Sequence, residues 1–315
     1  MVRAFRARTM RCLSPLLLLA LACSSSTPTG GPAPSDAGVA DRTPPAPIAV
    51  DDALLAARPY TLAVPKSYDA QKPTALLVAL HGYGPGDDGA ALESYFKLGP
   101  LAEQKGILYT HPDGLKDKNG DRFWNGTDAC CDFTKVGSDD VAYLRSVVGD
   151  VARKYNLDRS RVYVVGLSAG GVMAHRLACD AADVVSAIVS VSGTTWDDAS
   201  KCVPKGDVSV AEVHGTKDET VQYAGGVSEG AKYPSAADTV AHWATLEGCT
   251  GDLATEARLD LESSLAGEET RVDRYGSCAR GAVELWTVEG GKHAPRLGAG
   301  FAGAVFDFLE AHPKR

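Results

Sequence analysis

The stretch VVGLSAGGVMAH, residues 164–175, holds the clearest structural signal in the chain. Two valines end an apolar run, Ser168 stands between Gly166 and Gly170, and a helix-like pattern follows. In a sharp turn from a strand to a helix, the residues two before and two after the central one crowd each other, and glycine removes the Cβ at both places. The spacing therefore predicts a strand, a tight turn that exposes Ser168, and a helix. Ordinary Gly-rich connections also contain this pattern, so its surroundings decide its meaning.

Apolar runs and helix patterns alternate along the rest of the chain. Seven short runs are typical of strands: YTLAVP, TALLVAL, GILYTH, RVYVVG, SAIVSVSG, VSVAEVHG and VELWTVEG. The helix patterns include DVAYLRSVVGDVARKY, with Ser138 or Asp139 as the N-cap, then SAADTVAHWATLEG and FAGAVFDFLEAH. Strands that are apolar on both faces and alternate with such helices predict an α/β fold, in which helices cover both faces of a mostly parallel central sheet.

Ligands of such sheets bind beyond the carboxyl ends of the strands, where Ser168 is expected. A nucleophilic serine needs a base and an orienting carboxylate, and in the α/β-hydrolase fold the chain order is Ser, then Asp or Glu, then His. Asp218 follows the run VSVAEVHG, and His293 follows VELWTVEG in a glycine-flanked loop. His242 falls within a helix pattern and His312 at the C-terminus, which suits structural or surface roles better. The predicted catalytic residues are Ser168, Asp218 and His293.

Two backbone N–H groups are predicted to hold an oxyanion beside the serine. Ala169 follows Ser168 at the start of the helix, where the helix N-terminus adds a partial positive charge. The segment HGYG, residues 81–84, ends an early strand and supplies the second donor, which we assign to the N–H of Tyr83 with that of Gly82 as the alternative. An ordinary turn is the competing interpretation of HGYG, and its place at a strand end favours the oxyanion role.

The N-terminus is typical of an export signal. Four arginines precede the apolar segment LSPLLLLALA, and Cys23 follows Ala20-Leu21-Ala22, an arrangement that resembles a bacterial lipobox. We expect a lipoprotein signal peptide over residues 1–22, lipid attachment at Cys23, a disordered Ser/Thr/Pro/Gly/Ala-rich tether over 23–50 and one catalytic domain over 51–315. A plain secretory signal is the alternative. The predicted localisation is extracytoplasmic, at the bacterial cell envelope or secreted.

The net charge bears on which binding partners are expected, and the cysteine content bears on disulfides and metal sites. Residues 1–22 hold four of the 32 basic residues and no acid, which leaves 28 basic against 40 acidic residues and a net charge of −12. This charge argues against nucleic acid and anionic membrane surfaces, so the only membrane contact expected is the lipid anchor. The six cysteines after residue 50 lack the spacing of a zinc site and suggest disulfides. Six cysteines allow 15 pairings, among which we favour Cys130–Cys131, Cys179–Cys202 and Cys249–Cys278.

Motifs along residues 58–313 resemble the polyhydroxybutyrate depolymerase and feruloyl esterase group of α/β-hydrolases. In chain order they are HGYG, HPDG, RFWN, ACCDF, SDDVAYL, RVYVVGLSAGG, HGTKD and GGKHAP. The resemblance implies a Ser168–Asp218–His293 triad and ester hydrolysis through an acyl-enzyme, with no metal and no cofactor. It also implies that Trp124, in RFWN, lines the substrate pocket, although buried support of the core is an equally open role for that tryptophan.

The predicted function is therefore that of an exported serine carboxylester hydrolase. Its expected substrates are hydroxyalkanoate esters, as a polyester or an oligoester, or feruloyl or acetyl esters linked to polysaccharide. The alternative is a catalytically inactive surface lipoprotein that binds carbohydrate or polyester. The intact Ser168, Asp218 and His293 favour the enzyme over the binding protein.

Overall fold

The architecture is taken from a computed structural model, which describes residues 46–314. The predicted signal peptide, Cys23 and residues 23–45 of the predicted tether lie outside the described residues. The last tether residues, 46–50, lie against the folded body, where Ile48 and Val50 are partly buried beside Gly149. None of the helices formed by residues 46–314 is both long and apolar enough to cross a lipid bilayer.

A nine-stranded sheet forms the centre of the region that the structure describes. The strands within residues 46–314 are β1 (Leu62–Ala63), β2 (Thr74–Leu80), β3 (Leu108–Thr110), β4 (Leu115–Lys116), β5 (Arg122–Phe123), β6 (Leu157–Leu167), β7 (Ala187–Val191), β8 (Ser209–Gly215), β9 (Gly226–Ser228), β10 (Ala231–Tyr233), β11 (Cys249–Leu259), β12 (Thr270–Cys278) and β13 (Val283–Val288). The order in the large sheet is β1-β3-β2-β6-β7-β8-β13-β12-β11. Strands β4 and β5 pair separately, as do β9 and β10.

The six inner strands, from β3 to β13, are mutually parallel, and β1, β12 and β11 are antiparallel to their neighbours. The helices are α1 (Asp52–Ala57), α2 (Gly89–Phe96), α3 (Gly99–Lys105), α4 (Asp140–Lys154), α5 (Ala169–Asp180), α6 (Ala236–Leu246) and α7 (Gly300–Ala311), with a 3-10 turn at Ala199–Lys201. Asp139 is the N-cap of helix α4, and its side chain accepts a hydrogen bond from the N–H of Ala142. This resolves the choice between Ser138 and Asp139 in favour of Asp139.

The core has two halves, one on each face of the sheet. Along β2 every residue is buried, and alternate side chains enter opposite halves: Leu76 faces α4, α5 and α6, while Leu77 faces α2, α3 and α7. A strand can be apolar throughout only when both faces are covered. The predicted class, an α/β fold with helices on both faces of a mostly parallel sheet, is confirmed.

The antiparallel strands β11 and β12 were not expected from the sequence. Most residues of β11 are exposed, and charged or small residues such as Asp252, Ala254 and Glu256 fill the strand. Such residues have low β-propensity, and the strand forms because β12 supplies a ladder of hydrogen bonds along its length. Burial-based periodicity cannot detect a strand that buries so little.

Three disulfides link the six cysteines that follow residue 50: Cys130–Cys131, Cys179–Cys202 and Cys249–Cys278. All three pairs match the prediction. The second ties the last turn of α5 to the segment after the 3-10 turn, and the third joins the first residue of β11 to the last residue of β12. Disulfides of this number are typical of exported proteins, so they indicate an extracytoplasmic location.

Candidate active site

A strained turn joins β6 to α5 at Ser168. The backbone of Ser168 has φ 54° and ψ −117°, a left-handed conformation that side-chain-bearing residues rarely adopt. Its N–H donates to the carbonyl of Val191 at 2.8 Å, and its carbonyl accepts the helical hydrogen bond of Val172 at 2.9 Å. These bonds hold the turn, because strain of this kind persists only where the surroundings over-determine it.

The two glycines of the turn are required by close backbone approach. A Cβ on Gly166 would lie 2.0 Å from the carbonyl oxygen of Gly170, and a Cβ on Gly170 would lie 2.0 Å from that of Leu80. Both distances are far inside van der Waals contact, so no larger residue fits at either position without movement of the main chain. The crowding expected from the spacing of residues 166, 168 and 170 is therefore present.

Ser168, His293 and Asp218 form a hydrogen-bonded row at the carboxyl ends of β6, β13 and β8. The Nε2 atom of His293 lies 2.8 Å from the Oγ of Ser168, and its Nδ1 lies 2.8 Å from the Oδ2 of Asp218. The imidazole is partly exposed, with 23% of its side-chain surface accessible, whereas the side chain of Asp218 is fully buried. The structure thus brings together the three residues predicted as catalytic.

Hydrogen bonds from two backbone N–H groups orient the carboxylate of Asp218. The Oδ1 atom of Asp218 accepts hydrogen bonds from the N–H groups of Thr220 at 2.8 Å and Val221 at 2.9 Å, which leaves Oδ2 for the imidazole. Burial acts to raise the pKa of Asp218, but hydrogen bonds from His214 and His293 outweigh it and hold that pKa well below its usual range. The carboxylate is therefore ionised and accepts a proton-bearing Nδ1, so the Nε2 of His293 is free to accept the proton of Ser168.

The residues predicted to hold an oxyanion lie beside the serine. Ala169 is the first residue of α5, so its N–H has no acceptor within the helix. The loop after β2 comes close on the other side, because a Cβ on Gly82 would lie 3.7 Å from the Cβ of Ser168. Tyr83 follows in the same loop, and its hydroxyl donates to the Oδ2 of Asp117 at 2.9 Å.

Trp124 and His81 contact the main chain of the loop after β2, which carries Gly82 and Tyr83. Trp124 is completely buried, and its indole N–H donates to the carbonyl of His81 at 3.0 Å. His81 accepts from the N–H of Gly114 at Nε2 and lies 2.6 Å from the carbonyl of Gly82 at Nδ1. The expectation that Trp124 lines a substrate pocket is corrected, because a fully buried indole whose N–H is bonded to the main chain has no surface to offer a ligand.

Sequence reasoning missed Glu212 and His214, which lie on β8 directly behind Asp218. Both side chains are buried, and the Nε2 of His214 lies 3.3 Å from the Oδ2 of Asp218. A signal for them exists in the run VSVAEVHG, where a Glu and a His interrupt an otherwise apolar buried strand. Among residues 46–314, no group of three His, Cys, Asp or Glu side chains is arranged to hold a metal ion.

A cavity of about 350 Å³ adjoins the His293 loop. It is lined by both sequence neighbours of His293, Lys292 and Ala294, and by Glu262, Leu265 and Arg296. Neither His293 nor Ser168 is among the residues that line it.

Comparisons with known proteins agree with this architecture. A model of the family described as "Esterase PHB depolymerase" matches residues 59–258. The chain is 27% identical over 242 residues to feruloyl esterase B of Piromyces equi, covering 73% of this chain and 41% of that protein. It is also 27% identical over 249 residues to feruloyl esterase D of Neurospora crassa, covering 76% of this chain and 74% of that one. The chain thus spans less than half of the Piromyces protein.

Solved structures show the same fold at low sequence identity. The acetyl xylan esterase from Aspergillus awamori superposes with a TM-score of 0.56 at 16% identity, covering 79% of this chain and 92% of that one. Esterase PE8 superposes with a TM-score of 0.52 at 16% identity, covering 80% and 97%. Both neighbours are esterases, and their likeness to this chain is a likeness of fold.

Proposed function

The chain belongs to the PHB depolymerase family of esterases, and from that premise we propose that it is a serine carboxylester hydrolase working through an acyl-enzyme. The observation that carries the proposal is the unbroken row from Ser168 Oγ through His293 to the buried carboxylate of Asp218, with 2.8 Å at both links. Such a row, on a strained turn at a helix N-terminus, is what activation of a serine requires.

In the proposed reaction, Ser168 Oγ attacks an ester carbonyl while the Nε2 of His293 takes its proton. Asp218 keeps the proton-bearing Nδ1 in place and stabilises the imidazolium that forms. His293 then protonates the leaving alcohol, and a water molecule deprotonated by the same nitrogen hydrolyses the acyl-enzyme. The bonds broken and formed are those of ordinary ester hydrolysis, and every proton passes through one imidazole.

The N–H groups of Ala169 and Tyr83 are proposed to stabilise the oxyanion of the tetrahedral intermediate, with Gly82 as the alternative donor in the same loop. The position of Ala169 at the first turn of α5 and the approach of the 82–83 loop to Ser168 support this assignment. Loss of one such donor typically costs about 3 kcal/mol of transition-state stabilisation.

Two substrate classes are proposed: feruloyl or acetyl esters linked to polysaccharide, and hydroxyalkanoate esters. The similarity to feruloyl esterases B and D supports the first, and the family description supports the second. Turnover of feruloyl, acetyl-sugar and hydroxybutyrate esters, compared by kcat/KM, separates the classes.

The proposed placement of the enzyme is at the cell envelope, with the domain of residues 51–315 on a tether and a lipid on Cys23. The sequence of residues 1–50 supports this placement. Expression of the full chain beside a Cys23→Ser variant tests it, because loss of the lipid should move the protein from the membrane fraction to the soluble extracytoplasmic fraction. An unchanged distribution contradicts the anchor.

The first test of the activity is hydrolysis of 4-nitrophenyl acetate by a protein of residues 46–315 beside its Ser168→Ala variant. We expect turnover by the wild type and a loss of roughly 10⁴-fold or more in the variant. Labelling of both samples with a fluorophosphonate accompanies the assay, since only an activated serine reacts. A folded wild type that neither turns over ester nor takes the label contradicts the proposal and favours the inactive binding protein.

A further inference from the structure

Two ionisable side chains in the middle of the parallel sheet have no part in the proposed reaction. Glu212 and His214 stand two residues apart on β8, so they share one face of the strand, and both are essentially inaccessible to water. A charge buried without a partner costs several kcal/mol, so such residues persist only where their environment satisfies them. The partners of this pair form a continuous row that ends at the candidate active site.

The row begins at Trp243 of α6. Its indole N–H, which can only donate, points to the Nδ1 of His175 at 2.9 Å. That nitrogen must therefore be the unprotonated one, and His175 carries its proton on Nε2, which lies 2.9 Å from the Oε2 of Glu212. His175 is thereby fixed as a neutral donor to Glu212.

The environment of His214 offers hydrogen-bond acceptors to both ring nitrogens. Its Nδ1 lies 2.9 Å from the Oε1 of Glu212, and its Nε2 lies 2.8 Å from the carbonyl of Val221 and 3.3 Å from the Oδ2 of Asp218. A carbonyl can only accept, so Nε2 carries a proton. The two flanking carboxylates favour a second proton on Nδ1, which makes the ring an imidazolium.

The direction of the pKa shifts agrees with the geometry. Burial acts to lower the pKa of His214, but its contacts with Asp218 and Glu212 outweigh burial and raise it. Burial likewise acts to raise the pKa of Glu212, and the hydrogen bonds from His175 and His214 lower it instead. The ring of Tyr223 also packs against His214, edge-on, with the ring centroids 5.7 Å apart.

We propose that His214, held as an imidazolium by Glu212, is a positioning residue for Asp218 and sets the pH range in which His293 acts as a base. This inference rests on the proposed function. His214 and His293 approach the same oxygen, Oδ2 of Asp218, so the first fixes the carboxylate that orients the second. Its positive charge also repels a second positive charge on His293, because both rings contact the same carboxylate oxygen.

The variant Glu212→Gln tests this role while conserving shape. The amide oxygen of Gln can accept from His175 Nε2, and its amide N–H can donate to His214 Nδ1, so the hydrogen bonds remain while His214 becomes a neutral ring. The variant removes the positive charge of His214 and the negative charge of Glu212. The charge of His214 lies nearer to His293, so its loss has the larger effect on that ring. We expect the acid limb of the kcat/KM profile on 4-nitrophenyl acetate to move to higher pH by about 0.5 to 1 unit.

The matched control is Glu247→Gln, a second buried carboxyl-to-amide change. Glu247 accepts from the N–H groups of Val208 and Gly281 at the opposite end of β8 and β13. Its replacement should change the midpoint of thermal unfolding without moving the acid limb. If Glu212→Gln also leaves the limb in place, His214 is a structural residue only and the inference is overturned.

A second measurement does not depend on the variant's folding. In the ¹⁵N-labelled wild-type domain, both ring nitrogens of His214 should show the chemical shifts of an imidazolium at about pH 8, where an ordinary histidine is neutral. A neutral His214 in a wild type that hydrolyses the ester overturns this inference alone. Absence of both ester turnover and fluorophosphonate labelling overturns the proposed function, and with it the positioning role.

Discussion

The parallel strands at the centre of the sheet and the antiparallel strands β11 and β12 at its edge differ in burial and in what holds them together. In β8 and β13 every residue is buried, and the loops that follow them carry Asp218 and His293. In β11 most residues face water, and a disulfide joins the start of that strand to the end of β12. Tight packing at the centre holds three loops at hydrogen-bonding distance, whereas the edge is held by main-chain pairing, polar side-chain contacts and one disulfide.

Buried aspartates show the same contrast. Asp218 at the centre is bonded to two backbone N–H groups and lies between two imidazoles. Asp273 on β12 is also nearly inaccessible, but its partners are the side chains of Arg271 and Thr255 on the edge hairpin. Burial alone therefore does not distinguish the two carboxylates. What distinguishes them is the group that each one orients, an imidazole for Asp218 and an arginine for Asp273.

The largest effect is expected from Asp218→Asn against Asp273→Asn. An asparagine at 218 cannot hold the Nδ1–H tautomer of His293 as a carboxylate does, so kcat/KM should fall by about 10⁴-fold. The same change at 273 should alter stability and leave kcat/KM within about twofold. Steady-state assays of both folded variants check this, and equal losses would remove the distinction between centre and edge.

The next largest effect is the loss of unfolding free energy when a glycine is replaced by alanine, compared between Gly166 at the centre and Gly276 at the edge. Gly166→Ala puts a Cβ 2.0 Å from a carbonyl oxygen, and we expect it to lower the free energy of unfolding by about 3 kcal/mol or more. Gly276→Ala on β12 meets no atom within 4 Å, and we expect a change within about 0.5 kcal/mol. Urea unfolding of both proteins measures the difference. Similar losses would mean that the turn at Ser168 is not rigid.

The edge disulfide should affect stability and spare activity. Cys249 and Cys278 are separated by 29 residues and lie at the end of the sheet opposite Ser168, since β12 runs antiparallel to β13. Replacing both cysteines by serine should lower the free energy of unfolding by about 3 kcal/mol, because the unfolded chain gains conformational entropy without the cross-link. We expect kcat/KM to stay within about twofold of wild type. A large loss of activity at a temperature where the variant is folded would show that the edge supports the site.

The smallest effect is expected from Tyr83→Phe. The proposed oxyanion donor is the main-chain N–H of Tyr83, and the variant keeps it while removing the hydroxyl contact to Asp117. We expect a loss of about 1 kcal/mol in stability and a change in kcat/KM of less than about tenfold. A loss of several hundredfold would place the hydroxyl, rather than the N–H, at the reacting ester.

Most of the centre could be predicted and most of the edge could not. Apolar runs located all six inner strands because these strands are buried on both faces, and the Ser, Asp, His order selected three loops that meet in the structure. The strands β11 and β12 escaped because they bury little and carry polar residues. The sequence left two roles open for Trp124, because aromatic character alone does not say whether an indole faces a ligand or the core; its burial agrees with the core role.

By itself, the sequence determined the features that a few neighbouring residues specify: the glycines that permit the turn at Ser168 and the strands that are apolar on both faces. The tertiary structure decided the contacts between distant positions. Ser168 and His293 are 125 residues apart, and their hydrogen bond depends on how β6, β8 and β13 align. The burial of Trp124 and the row from Trp243 through Glu212 and His214 arise in the same way, because local periodicity encodes burial while side-chain geometry is set only when the sheet and its helices have packed.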